Sequence, residues 1–367
     1  MRSLKITKKR TWLAPILALT LLIVTSCAGT ETTETGEAEE TAKKPAPTTA
    51  EVSITGAGAS FPAPLYQRWF SEYNRLYPNI KISYQSVGSG AGVEQFTKEI
   101  PFFAASDVAM KDSEIAKVER GVQLLPMTAG SIVIAYNVPG VETGLKLSRE
   151  VYVDIFLGKI TKWNDRRIVE DNPEVNLPNQ NITVIHRSDG SGTTGVFTKH
   201  LSAISPAWKK EIGEGKTVQW KGGVGAKGNE GVTAQLKQTE GSIGYVEFAY
   251  AKQQKIPFAA LENKAGKFIQ ASQESASETL AAVKLPENLR AFITDPEGDN
   301  SYPIVTYTWI LAYKKYEDPE KLKAFKGVIK WSLEDGQKIS EQLGYIPLPE
   351  NVVEKVETAL EGITVGE

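Results

Sequence analysis

One stretch constrains this chain more than any other: Arg187-Ser188-Asp189-Gly190-Ser191-Gly192-Thr193. It follows a strand-like apolar run, Ile182 to His186, and opens a segment in which Val196, Phe197, His200, Leu201 and Ile204 recur at helical spacing. A strand that ends in a Gly/Ser turn and starts a helix directs backbone N–H groups, and the positive end of the helix dipole, at one point. Ser191 and Thr193 add hydroxyl donors, and Arg187 adds a planar fork that matches a tetrahedral oxyanion. No Gly-Lys-[Ser/Thr] follows, so the turn is not a nucleotide P-loop. The stretch reads as an anion seat, although a solvated turn would share its composition.

Two earlier stretches repeat the plan. The alternating run Val52 to Thr55 leads through a Gly/Ala/Pro turn to Leu65, Tyr66, Trp69, Phe70, Tyr73, Leu76 and Tyr77, which fall on one helical face. Ser60 sits in that turn, and the aromatics are assigned to the core. Ile80 to Tyr84 alternates as a strand and ends in Val87-Gly88-Ser89-Gly90-Ala91-Gly92, with Ser89 as donor before another helix. The apolar run Phe102 to Ser106 then ends in the carboxylate of Asp107. Strands alternating with helices predict an α/β architecture. A second domain is expected after Asn137-Val138-Pro139-Gly140, and the apolar run 302–311 is expected to return to the first. Gly223 to Gly228 fits G-x-G-x-x-G, but no hydrophobic strand precedes it and no acid is placed for a ribose. It is taken as a Gly-rich loop. Residues 262 to 290 are polar without regular pattern.

The amino end is of a different kind. Arg2, Lys5, Lys8, Lys9 and Arg10 precede an apolar run from Trp12 to Val24, which is shorter than the ~20 residues of a membrane span. A signal peptide over 1–26 is therefore the better reading. Val24-Thr25-Ser26-Cys27 resembles a bacterial lipobox, which implies cleavage before Cys27 and acylation of this single cysteine. The mature chain then holds no thiol and folds without disulfides. Residues 27–50 are rich in Thr, Glu, Ala and Pro and read as a flexible tether. The whole chain has a net charge of −2. Loss of the five basic leader residues takes it to about −7, which leaves no polybasic surface for nucleic acid. An anion must then be held by local dipoles and hydrogen bonds rather than by bulk field.

The residue list also excludes chemistry. With two histidines and one cysteine, a histidine-built zinc or two-metal hydrolase has no ligands. A carboxylate-only metal site stays open. There is no G-x-S-x-G elbow, and a Ser–His–Asp triad would have to recruit His186 or His200, both read as structural.

Together, Thr55 to Pro64, Gly88-Ser89-Gly90, Ala105-Ser106-Asp107, Arg187 to Thr193, Gly225 to Asn229 and Gly241 to Glu247 closely resemble, in order, the PstS family. These are the extracytoplasmic phosphate receptors of bacterial high-affinity phosphate ABC transporters. The resemblance runs from about Val52 to the C-terminal helices. It implies a two-lobed, type II periplasmic-binding-protein fold with ligand in the interlobe cleft. Lobe I would comprise 51–136 and 303–367, and lobe II 137–302. It places the Ser60 hydroxyl, the Phe61 backbone, Ser89 and Asp107 on one side of phosphate, and Arg187, Ser191, Gly192 and Thr193 on the other. Asp189 would pair with Arg187. Ser60 stands where Thr is common in the family and keeps the hydroxyl. The expected partners are inorganic phosphate, the membrane permease subunits and, through Cys27, the membrane itself. Neither cofactor, metal nor enzymatic activity is expected, and the receptor would be a monomer. Phosphate near neutral pH keeps a proton from which Asp107 can accept a hydrogen bond, whereas sulfate has none. Three alternatives remain. One is a receptor for another tetrahedral oxyanion such as sulfate, molybdate or a phosphonate. The others are a secreted phosphatase and a surface lipoprotein that keeps the fold without uptake.

Overall fold

The structure is a computed structural model that describes residues 51–366; the leader, the tether and Cys27 lie outside the described residues. Two strand–turn–helix units come first: β1 (Val52–Gly58) with α1 (Ala63–Leu76), then β2 (Ile80–Ser86) with α2 (Ser89–Thr97). After β3 (Phe103–Ser106) and the single turn α3 (Asp112–Ile115) runs β4 (Val122–Asn137), a 16-residue strand buried almost throughout. The next part holds β5 (Lys146–Leu147), α4 (Arg149–Phe156), α5 (Arg166–Asp171), β6 (Thr183–Arg187), α6 (Gly192–Ile204) and α7 (Pro206–Glu211). It continues with β7 (Val224–Ala226), α8 (Gly228–Gln238), β8 (Ser242–Glu247) and α9 (Phe248–Gln254). Then come β9 (Ala260–Glu262), β10 (Phe268–Ile269) and α10 (Gln273–Ala281). The chain closes with β11 (Val305–Tyr313), β12 (Lys315–Tyr316), α11 (Pro319–Leu333), α12 (Asp335–Leu343), α13 (Glu350–Glu361) and β13 (Thr364–Val365).

Eight strands form one sheet in the order β2-β1-β3-β11-β4-β8-β6-β7. Strand β4 joins its halves. From Val122 to Ser131 it pairs antiparallel with β11, and from Ile132 to Asn137 it pairs antiparallel with β8. On one side β1 runs parallel to β2 and β3; on the other β6 runs parallel to β8 and β7. This is the two-lobed, type II periplasmic-binding-protein fold. All nine residues of β11 are buried, as expected of a strand covered on both faces.

The aromatic stripe of α1 is core. Leu65, Tyr66, Trp69, Phe70 and Tyr73 are buried, and the Trp69 indole donates to the Gly336 carbonyl at 2.7 Å. Phe70 meets Phe103 edge-on, and Phe96 stacks on Tyr313 at 4.2 Å. Such pairs hold each helix in place against its strand.

Two stretches are more regular than their sequences suggest. Within 262–290, α10 buries Ser275, Ala276, Thr279 and Leu280, and a capping box between Ser272 and Ser275 starts it. A stripe made chiefly of small and hydroxylated residues carries no strong apolar period. The Gly223–Gly228 stretch forms the short edge strand β7 and the first residue of α8. It needs no hydrophobic side chains because β7 lies at the sheet edge, largely exposed.

Gly58, with φ of +153°, ends β1 against β3, and a Cβ there would lie 2.2 Å from the Ala105 carbonyl oxygen. Gly58→Ala is therefore expected to cost about 1–3 kcal/mol or more of stability, read as a lowered urea midpoint at unchanged m-value.

Candidate functional site

The strand ends of both halves converge. Strand β6 delivers Arg187, and Ser191 caps α6, its Oγ accepting from the Thr194 amide at 3.0 Å. The amides of Gly192 and Thr193 then head the helix, where no intrahelical carbonyl reaches them. From the other half, Gly88 (φ +89°) turns the chain into α2 and sets Ser89 as its first residue, while β3 presents Asp107 one residue past its end. Helix α1 starts at Ala63 after an N-cap at Pro62, so Ser60 lies in the turn rather than at the cap.

The two sides touch. The Gly90 amide donates to the Gly190 carbonyl at 2.7 Å. A Cβ on Gly192 would fall 2.3 Å from Ser89 Oγ and 2.6 Å from Asp107 Oδ2, so only glycine lets the head of α6 approach these groups. Ser60, Phe61, Ser89, Asp107, Arg187, Ser191 and Thr193 are all buried.

Arg187 is held rigidly. Its Nε and Nη2 donate to Asp189 Oδ1 and Oδ2 at 2.7 and 2.6 Å, and its Nη1 reaches Thr193 Oγ1 at 3.4 Å. Burial works against the guanidinium charge, but the two bonds to Asp189 outweigh it and raise the Arg187 pKa. Burial likewise pushes Asp189 upward, yet Arg187 and the Gly228 amide hold it below the ordinary aspartate range. The Arg187 amide donates to the Tyr245 hydroxyl, which shares a 2.6 Å bond with Thr194.

Asp107 is of the opposite kind. Its Oδ1 accepts from Thr308 at 2.9 Å, and Ser89 Oγ lies 3.4 Å from its Oδ2. Burial nevertheless pushes its pKa up to about 7, against the pull of Thr308, Arg187, Ser89 and Lys216. The site thus sets donors around the Asp107 carboxyl, whose ionised form burial leaves short of hydrogen-bond donors. Such an arrangement suits an oxyanion that still carries hydrogen.

Several contributors were not anticipated. Thr308 lies in the run taken only as an apolar strand; its place on β11, beside β3, brings it to Asp107. Asn229 is buried and bonds both Ser60 Oγ and Thr193 Oγ1. It closes the quoted Gly225–Asn229 stretch, where a polar residue directly after a glycine at a helix start was the available signal. Tyr250 donates to the Ser60 carbonyl, and Tyr345 to that of Phe61. The histidines stand apart: His186 stacks on Trp220, and His200 bonds Tyr152. Among the described residues no group of three or more His, Cys, Asp or Glu is gathered to hold a metal.

Residues 35–335 match a family model described as a PBP superfamily domain. The phosphate-binding protein PstS of Xylella fastidiosa is 41% identical over 345 residues, 92% of this chain and 94% of that one. That of Pasteurella multocida is 45% identical, covering 84% of this chain and 90% of its own. The chain belongs to the PstS family. Solved structures similar to this PstS-family chain include a phosphate-binding protein from Stenotrophomonas maltophilia, at a TM-score of 0.65 and 20% identity, covering 84% of this chain and 93% of that one. Another is a high-affinity periplasmic phosphate-binding protein bound with phosphate, at 0.68 and 19%, covering 84% and 93%. At such identities the likeness speaks for the fold.

The Asp107 carboxyl has a consequence for stability. Its folded pKa of about 7 lies above the ordinary 3.8, so its contribution is fully present below pH 3.8 and is lost as pH rises towards 7. Asp107→Asn removes that loss. The ligand-free variant is expected to exceed the parent in stability above pH 7 by up to roughly 4 kcal/mol. The gain should vanish below about pH 4 in urea titrations run across the range.

Proposed function

We propose that this protein binds inorganic phosphate outside the cytoplasm and delivers it to the permease subunits of an ABC importer. One observation carries the reading: the buried carboxyl of Asp107 faces a converging set of donors drawn from both halves of the sheet. Ser60, Ser89 and Thr193 supply hydroxyls, Phe61, Ser191 and Gly192 supply the turn and helix-head backbone, and Arg187 supplies the one full positive charge. Asp189 spends two of the Arg187 donors and keeps the fork in plane. Phosphate brings the hydrogen-bond donor that the Asp107 carboxylate lacks. Sulfate would set lone pair against lone pair at a buried site, a penalty of several kcal/mol.

The lobes meet along β4, and its change of partner between Ser131 and Ile132 is the natural hinge. Because Ile132 to Asn137 pair with β8, this hinge falls five residues before the expected lobe boundary at 136: residues 51–131 with 303–367 would move against 132–302 about that line, and closure strengthens each hydrogen bond by removing water. The receptor acts without a cofactor or catalysis, as a monomer tethered through acylated Cys27. No helix among the described residues is long and apolar enough to cross a membrane, and the tether supplies the attachment.

Equilibrium binding of labelled phosphate, with sulfate and arsenate as competitors, tests the reading. The parent should bind phosphate, ignore sulfate, and exceed its own sulfate affinity by about a thousandfold or more. Asp107→Asn should narrow that gap by at least tenfold, and unchanged selectivity would remove Asp107 from its role. In cells, Cys27→Ala should abolish incorporation of labelled palmitate and release the protein from the membrane fraction.

A further inference from the structure

The Asn229 side chain is fully buried, and all its hydrogen-bonding groups are used. Its Oδ1 accepts from the Glu247 amide at 2.9 Å, which fixes the orientation of the carboxamide because a backbone N–H can only donate. The Nδ2 group must therefore face the cleft. Its two hydrogens go to Ser60 Oγ at 2.9 Å and Thr193 Oγ1 at 3.1 Å, one from each half of the sheet. The Asn229 amide donates a second bond to Ser60 Oγ at 3.0 Å, and Arg187 Nη1 approaches Thr193 Oγ1 at 3.4 Å. A hydroxyl oxygen accepts two hydrogen bonds and donates one. With both acceptor positions taken, Ser60 and Thr193 have only their hydrogens left to offer.

We propose that Asn229 is a positioning residue: by filling the lone pairs of Ser60 and Thr193 it turns both hydroxyls into obligate donors toward the anion. The proposal rests on the phosphate-binding reading. It explains how two side chains that would otherwise donate or accept with equal ease are made to favour the more ionised phosphate. It also makes Asn229 a tie that forms as the halves close, since its two hydroxyl partners belong to opposite lobes. A carboxylate at this position would reverse the pattern. It would accept from both hydroxyls, draw their hydrogens away from the cleft and leave their lone pairs facing the ligand.

Calorimetric titration with inorganic phosphate tests this in the parent and in Asn229→Asp, Asn229→Ala, Ser60→Ala/Thr193→Val and the triple variant. Asn229→Asp is expected to lose about 100-fold or more in affinity at pH 8, two bonds to a charged ligand having been removed. The loss should shrink toward pH 6, where phosphate is the monoanion with more hydrogen to give. Asn229→Ala should show no such trend. Asp107, Arg187, Asp189, Glu230, Glu247 and Tyr250 are common to both variants, so the ratio between them isolates position 229. Within the cycle, Asn229→Ala should cost about tenfold alone and less than threefold once both hydroxyls are gone. Equal losses in the two backgrounds, or an Asn229→Asp affinity within threefold of the parent at pH 8, overturn the proposal while leaving phosphate binding intact. A parent that binds no phosphate overturns the phosphate reading and this inference with it. Should Asn229→Asp show no melting transition, the cycle decides alone.

Discussion

A carboxyl stripped of water must be matched by its surroundings or keep its proton, and Asp107 imposes that choice on the whole fold. Its surroundings are assembled from distant parts of the chain: Thr308 from β11, Ser89 from α2 and the head of α6 from the opposite half. None of these is near in sequence. They meet because β11 lies between β3 and β4 and because β4 serves both halves of the sheet. The match is incomplete, and the pKa remains near 7. In the proposed reading, that residual preference for hydrogen is what would make an anion pocket selective for phosphate.

The electrostatics follow the same economy. The chain is net negative, and the one guanidinium at the site is already paired with Asp189. In the proposed reading an anion would therefore be met mostly by dipoles: helix heads, hydroxyls and the Arg187 N–H groups left over from Asp189 and Thr193. Fixed dipoles in a water-poor cleft recognise shape and hydrogen count, whereas a lysine patch would recognise charge alone. The pairing also holds Arg187 away from Asp107, whose carboxyl it would otherwise satisfy. A swing towards Asp107 would cost both Asp189 bonds.

How much of this the sequence revealed depended on where the partners lie. The turn at Arg187–Thr193 was legible because strand, cap and helix are contiguous, and the α1 aromatics announced a core face by their spacing. The Ser89 and Asp107 positions followed from the same strand–turn logic. Thr308 was hidden in an apolar run, since its role arises only from the register of β11 against β3. Asn229 was hidden because its three partners, Ser60, Thr193 and Glu247, are 169, 36 and 18 residues away. Helix α10 escaped notice because Ser275, Ala276 and Thr279 make up most of its buried side, so its period carries little hydrophobic contrast.

The placement of β11 also bears on how the molecule comes into being. This strand fills the sheet between β3 and β4, yet it is separated from β3 by about 200 residues of chain. Until it emerges, the half carrying β1 to β3 has an open central seam and cannot complete its core, whereas the half carrying β6 to β8 is continuous in sequence. Pairing at that separation is slow because the intervening loop must first be closed. If the chain crosses a membrane before it folds, as the proposed role requires, a keystone delivered last would be an advantage: it would keep the leading portion pliable while the rest is still being threaded through.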